Sequence, residues 1–173
     1  MILPKLNVMV SGMADSTLVF LPGMGGTTRY WQGRVTALEK RHRVILVDPL
    51  GFGESPKPRT QYTVERHSEA LRRTLAPYAP FTLIGHSMGA VLSIAYAASY
   101  PEQIEGLFLI GLPFFGDREQ TYRHFRNGSV VDRWVFTNVM MASLACILTR
   151  RVFGYILPYL LRNIPQEVAE DLV

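Results

Sequence analysis

The sequence predicts an α/β fold, a mostly parallel sheet with helices on both faces, followed by a helical region. Apolar runs at residues 17–21, 43–47, 81–84 and 104–110 alternate with helical patterns. Each run is continuously apolar, which is typical of parallel strands covered on both faces. After Pro113 no further strand pattern follows. We therefore expect an α/β core over residues 1–113 and a helical cap over residues 114–173.

The first half of the core is predicted from short patterns. Residues 5–10 alternate weakly and indicate a strand, and residues 11–16 form a turn before the apolar run at 17–21. A glycine-rich loop follows, and residues 30–40 then predict an amphipathic helix. Its inward side chains would be Trp31, Val35 and Leu38.

The second half of the core repeats the alternation. A long loop begins at Asp48, directly after the run at 43–47. Thr63 is a suitable N-cap for a helix that reaches about residue 76, where prolines interrupt it before the run at 81–84. The inward residues of this helix are predicted to be Val64, Leu71 and Leu75.

The pentapeptide Gly85-His86-Ser87-Met88-Gly89 lies between an apolar strand and a helix rich in small residues. This spacing and context are typical of a nucleophile elbow, a sharp turn that lifts a serine hydroxyl clear of the sheet. Glycines are needed two residues before and after the serine because the strained turn brings those positions close together. Without its flanks the pattern is also compatible with a glycine-rich turn that carries an incidental serine.

Composition excludes several classes of function. The net charge is +4 and the pI is near 9.4, but the basic residues are scattered, whereas nucleic-acid binding favours a concentrated basic stripe. The single cysteine, Cys146, excludes an internal disulfide and is expected to be a buried core thiol. With no cluster of ligand residues, neither a metal nor an organic cofactor is predicted.

The N-terminus lacks a signal-peptide pattern, and the uncharged run at residues 134–149 is shorter than a usual membrane span. We therefore expect a cytoplasmic protein with a small-molecule substrate and no membrane span. The sequence does not fix an oligomeric state.

Three motifs stand in a recognisable order, namely the loop Pro22-Gly23-Met24-Gly25-Gly26, the loop from Asp48 to Ser55, and the elbow. With them the chain resembles the α/β-hydrolase fold family, specifically its cap-bearing serine hydrolases and esterases, over residues 5–113. The resemblance implies that Ser87 is the nucleophile and that the backbone N–H groups of Met24 and Met88 form the oxyanion hole. It also implies structural roles for Gly23, Gly85 and Gly89. Pro22 stands where relatives usually carry a histidine that braces the loop.

Two residues near these motifs are given supporting roles. Asp48 precedes the serine, whereas the family's order is serine, acid, histidine, so Asp48 is expected to brace its own loop. His86 adjoins Ser87, and neighbours on an elbow point apart. It is therefore interpreted as a packed or hydrogen-bonded wall residue.

A serine hydrolase also needs a histidine and an acid. Of the four histidines, His42 is expected at the end of a strand opposite the site, and His67 on a helix that covers the sheet. His124 follows the serine but is interpreted as a solvated cap residue. Asp117 is a minor candidate for the acid. Because relatives carry these partners on strands that follow the cap, the resemblance implies an N-terminal fragment whose histidine and acid lie beyond Val173.

The expected function is hydrolysis of an ester or related acyl bond. Aromatic and aliphatic residues between 114 and 155 indicate a substrate with an apolar acyl or aromatic part, although most of these side chains are expected to pack within the cap. Two alternatives stay open, a carbon–carbon bond hydrolase and a non-catalytic binding or scaffold protein, or inactive fragment, on the same fold. Missing edge strands would leave such a scaffold prone to association through its sheet.

Overall fold

A five-stranded sheet organises the first 113 residues. The structure is a computed structural model and describes residues 5–113, 116–117, 119–120 and 123. The chain divides into two compact units, Met1–Pro113 and Phe114–Val173. Nearly all of the predicted helical cap, including His124 and Cys146, lies outside the described residues.

The sheet is mostly parallel, as the sequence predicts. Its strands run in the order β1-β3-β2-β4-β5, and only the pairing of β1 with β3 is antiparallel. The strands are β1 Val8–Ser11, β2 Thr17–Leu21, β3 Arg43–Val47, β4 Phe81–His86 and β5 Ile104–Ile110. Since β2 and β4 are adjacent and parallel, the loops that follow them leave the sheet at the same edge.

Three α-helices accompany the described strands. They are α1 Thr28–Gln32, α2 Val64–Leu75 and α3 Met88–Ser99, with short 3₁₀ turns at Ala76–Tyr78 and Pro101–Gln103. The predicted cap of α2 is present, because the Thr63 side chain accepts a hydrogen bond from the Arg66 N–H at 3.3 Å. Thr63 thereby satisfies one of the backbone donors that a helix leaves unpaired in its first turn.

Side chains of the three central strands, β2, β3 and β4, alternate between two apolar clusters. On β3, Ile45 and Val47 contact the cluster that contains α2 and α3, whereas Val44 and Leu46 contact the cluster on the opposite face. The second cluster also includes Trp31 from α1 and Val35. Helices and loops therefore cover both faces of these three strands, and this burial explains their continuous apolar character. The apolar run of β5 is not buried as its pattern predicts, since Leu107, Phe108, Leu109 and Ile110 are 37%, 64%, 37% and 46% exposed.

Several predicted boundaries and inward positions are wrong. The first strand is β1, Val8–Ser11, rather than residues 5–10. The helix predicted over residues 30–40 is only the five-residue α1, because Gly33 ends it and i→i+3 turns continue to residue 41. Trp31 and Val35 are buried as expected, but Leu38 is 37% exposed. Val64 is 38% exposed as the first residue of α2, while Leu71 and Leu75 are buried.

Candidate active site

Ser87 lies at the turn that joins β4 to α3. Its backbone has φ 52° and ψ −115°, which makes it the one non-glycine residue with positive φ in the described part of the chain. The Ser87 N–H donates to the Ile110 carbonyl at 2.9 Å, and the Ser87 carbonyl accepts the first hydrogen bonds of α3. A non-glycine residue is held in such a conformation only where its surroundings fix it, and such strain concentrates at functional sites.

Gly85 and Gly89 are required by close backbone contacts at this turn. A Cβ placed on Gly89 would lie 2.5 Å from the Leu21 carbonyl oxygen and 2.6 Å from that of Pro22. A Cβ on Gly85 would collide with the Gly89 carbonyl and the Ser93 hydroxyl. The strand–turn–helix geometry that the elbow motif predicts is therefore present, with glycines where side chains cannot fit.

The loop after β2 comes directly beside Ser87. A Cβ on Gly23 would lie 3.2 Å from the Ser87 Cβ, so the two backbones are in close contact. The loop turns back on itself through a hydrogen bond from the Gly26 N–H to the Gly23 carbonyl at 3.0 Å. Met24 lies within this turn, with its side chain 66% exposed, and Met88 is the first residue of α3. The fold therefore brings together the two segments that carry the predicted oxyanion-hole donors.

Asp48 braces the neighbouring loops, as predicted. The residue is 1% exposed, and its carboxylate accepts hydrogen bonds from the Thr28 N–H (2.6 Å), the Glu54 N–H (2.8 Å) and the Asn7 Nδ2 (2.9 Å). Gly53, at φ 49°, packs so closely on the carboxylate that a Cβ would not fit. Asp48 thus ties the start of α1 to its own loop and to the segment before β1.

The described histidines have no hydrogen bond to the Ser87 hydroxyl. His42 precedes β3 and its Nδ1 lies 2.7 Å from the Ser16 hydroxyl, at the amino ends of the parallel strands. A shallow open depression at that end, lined in part by Arg43, Tyr78 and Glu105, is therefore on the opposite edge of the sheet from Ser87. The location of the general base stays a prediction.

His67 and Asp117 have local structural surroundings. His67 lies on α2 and is 6% exposed, and its burial lowers the pKa of the imidazole below the ordinary 6.5. In the second unit, the Asp117 carboxylate accepts from the Gln120 N–H at 2.8 Å and from the Gln120 Nε2 at 3.2 Å. Asp117 therefore caps a local turn, and its role as the acid stays a prediction.

His86 packs through its ring. Of the two roles that the sequence allows, packing and hydrogen bonding, the structure has packing. The imidazole stacks on Tyr30, with ring centroids 5.4 Å apart and planes 12° apart, and meets Trp31 edge-on at 6.5 Å. The sequence feature that could have indicated this packing is the aromatic pair Tyr30-Trp31, just after the glycine-rich loop. A single sequence does not reveal which ring that pair would contact.

Residues 5–113 and the few described beyond them contain no group of three or more His, Cys, Asp or Glu side chains arranged to hold a metal ion. None of the helices in that same part of the chain has the length and apolarity to cross a bilayer.

Comparison with known proteins agrees with the geometry. The family model described as "alpha/beta hydrolase fold" matches residues 16–170. The probable lysophospholipase BODYGUARD 5 of Arabidopsis thaliana is 30% identical over 133 residues, which are 65% of this chain and 30% of the plant protein. The chain thus spans less than a third of the length of that relative.

Solved structures give the same result. A bacterial membrane phospholipase A, described as a virulence factor, has a TM-score of 0.61 and 29% identity, over 65% of this chain and 38% of that protein. A hydrolase from Pseudomonas aeruginosa has a TM-score of 0.68 over 96% of this chain and 60% of the other, and its 23% identity bears on the fold alone. The match over residues 16–170, together with the fold, shows that the chain belongs to the alpha/beta hydrolase fold family.

Proposed function

We propose that this protein is a serine hydrolase that cleaves an ester or related acyl bond, with Ser87 as its nucleophile. The observation that carries the proposal is the strained backbone of Ser87 at the amino end of α3, in contact with Gly23. In a serine hydrolase this arrangement presents the hydroxyl and places two backbone N–H groups around the carbonyl oxygen under attack. Membership of the hydrolase family supports the same reaction class.

In the proposed reaction the Ser87 Oγ attacks the carbonyl carbon and gives its proton to a general base. The N–H groups of Met24 and Met88 stabilise the negative charge that develops on the carbonyl oxygen. The alcohol leaves with a proton from the same base, and water then cleaves the acyl-enzyme. We propose that a histidine and an acid outside the described residues complete the site. Among the described residues, Asp117 is a minor alternative for the acid.

Two observations support an acyl ester as the class of substrate. Relatives named as a probable lysophospholipase and a phospholipase A favour an acyl ester with a long apolar chain. The apolar residues of the predicted cap favour the same class of substrate, since ligand pockets are lined mainly by apolar and aromatic side chains.

The test is hydrolysis of nitrophenyl esters with acyl chains of increasing length by the full gene product. We expect turnover that Ser87→Ala lowers by about 10⁴-fold or more, because in the proposed reaction the acyl-enzyme forms on the Ser87 hydroxyl. Ser99→Ala is the matched control, since its exposed hydroxyl lies at the far end of α3 and donates to the Ala95 carbonyl of the same helix. Hydrolysis that Ser87→Ala leaves intact would contradict the proposal. A folded protein that binds acyl ligands without turnover would favour a binding module.

A further inference from the structure

The His86 side chain contacts three separate segments next to the site. Its ring stacks on Tyr30 of α1 and meets Trp31 edge-on. A Cβ on Gly23 would lie 3.2 Å from the His86 Nδ1, and one on Gly111, just after β5, would lie 3.8 Å from Cδ2 and Nε2. The imidazole therefore lies between the glycine-rich loop, α1 and the segment that leaves β5.

The contact between His86 and the loop is packing rather than hydrogen bonding. The Nδ1 atom is buried and has no hydrogen-bond partner in the part of the chain that the structure describes. Such a nitrogen costs free energy, because burial removes its water without supplying a replacement. The face of the His86 ring, in contrast, stacks on Tyr30. The Arg34 guanidinium in turn lies 5.0 Å from the centroid of the Tyr30 ring. Ring stacking, and not a hydrogen bond to Nδ1, therefore fixes the His86 side chain.

The glycine-rich loop after β2 is anchored at both ends, and the packing contact with His86 lies between these anchors. At its start, Leu21 pairs with Gly85 across the sheet, and at its end the Thr28 N–H donates to Asp48. Between them, the backbone hydrogen bond in this part of the described chain is the local one from the Gly26 N–H to the Gly23 carbonyl, which fixes the turn but not its position against Ser87. Pro22 has no side-chain hydrogen-bonding group that could brace the loop.

We propose that His86 is a positioning residue whose stacked ring holds the backbone at Gly23, and with it the Met24 N–H, in place beside Ser87. The proposal rests on the proposed function in one respect, since the Met24 N–H matters for catalysis only if Ser87 is the nucleophile. Tyr30 acts with His86 as the other half of the stack. In this chain the pair supplies the bracing that Pro22 cannot give.

Four variants of the full gene product test the role of the ring. In His86→Ala we expect kcat to fall by about 10- to 100-fold, because a displaced oxyanion donor weakens transition-state stabilisation. KM should stay within about threefold, because ground-state binding is not altered. His86→Phe keeps a ring of similar shape and should recover most of the loss, whereas Tyr30→Leu should resemble His86→Ala. The control His42→Ala changes a histidine at the opposite edge of the sheet and should leave kcat unchanged.

Amide hydrogen exchange of residues 23–27 gives a readout that does not depend on activity. His86→Ala and Tyr30→Leu should accelerate exchange of the Gly26 N–H, and His86→Phe should restore its protection. If this pattern appears in a protein without Ser87-dependent hydrolysis, the brace is supported while the proposed function fails.

Two results would overturn the proposal that His86 positions the loop. One is unchanged kcat and unchanged exchange in His86→Ala. The other is an equal loss in His86→Phe and His86→Ala, which would assign the effect to the nitrogen instead. Thermal unfolding of each variant identifies a general loss of fold, and Tyr30→Leu then tests the stack with His86 intact.

Discussion

Ser87, Gly85 and Gly89 show how far the chemistry of single residues can be predicted. The sequence motif indicates a strained serine flanked by positions without room for side chains, and both features are present. It does not indicate what occupies the space beside Gly89, which is the carbonyls of Leu21 and Pro22. Those atoms come from the end of β2 and the loop after it, more than sixty residues earlier, and a local pattern holds no information about such long-range contacts.

Asp48 carries a prediction at the residue scale. Asp48→Asn should lower the free energy of unfolding by about 2–3 kcal/mol, measured by urea denaturation. Three donors point at the carboxylate, and an amide offers only one oxygen, so at least one buried N–H would face the NH₂ group. The control is Glu54→Gln, the same change in charge on an exposed side chain of the same loop. Equal stability of the two variants would contradict the bracing role.

At the scale of elements, α1 and α2 differ in how well the sequence predicts them. For α2 the cap at Thr63 and the buried Leu71 and Leu75 follow from periodicity and capping. For α1 the apolar spacing continues to residue 38, but the helix ends at Gln32 because Gly33 and a series of i→i+3 turns replace it. Apolar periodicity alone does not distinguish a helix from successive turns that bury only some of the same residues, here Trp31 and Val35 but not Leu38.

The packing of α2 predicts a dependence of stability on pH through His67. Its pKa lies below 6.5 in the folded state because burial disfavours the imidazolium, so the unfolded chain binds the proton more readily. Stability from this group is therefore complete above about pH 6.5 and falls as the pH drops toward the folded pKa, by up to about 1.4 kcal/mol per pH unit. Urea unfolding at pH 7.5 and 5.5 measures the effect.

The matched variant for this test is His67→Gln, which has no titrating group at that position. It should lose less stability between the two pH values than the parent protein does. The same loss in both proteins would show that His67 does not contribute and that carboxylates account for the acid sensitivity.

At the scale of the whole molecule, the fold class and its family followed from the sequence, because continuous apolar strands and three ordered motifs suffice to specify them. The strand order and the antiparallel β1 did not, since neither leaves a local signal. The bracing stack of Tyr30 and His86 was also missed, because the two rings lie more than fifty residues apart in the chain. Roles of Met24, Met88 and Ser87 in catalysis remain predictions that the geometry favours.

The most direct measurement is covalent labelling of the full gene product with a fluorophosphonate, which reacts with an activated serine. We expect one adduct per chain by intact mass, located on Ser87 by peptide sequencing, absent in Ser87→Ala and retained in Ser99→Ala. A folded protein in which Ser87 stays unmodified, or in which another residue takes the label, would contradict the assignment of Ser87 as the nucleophile.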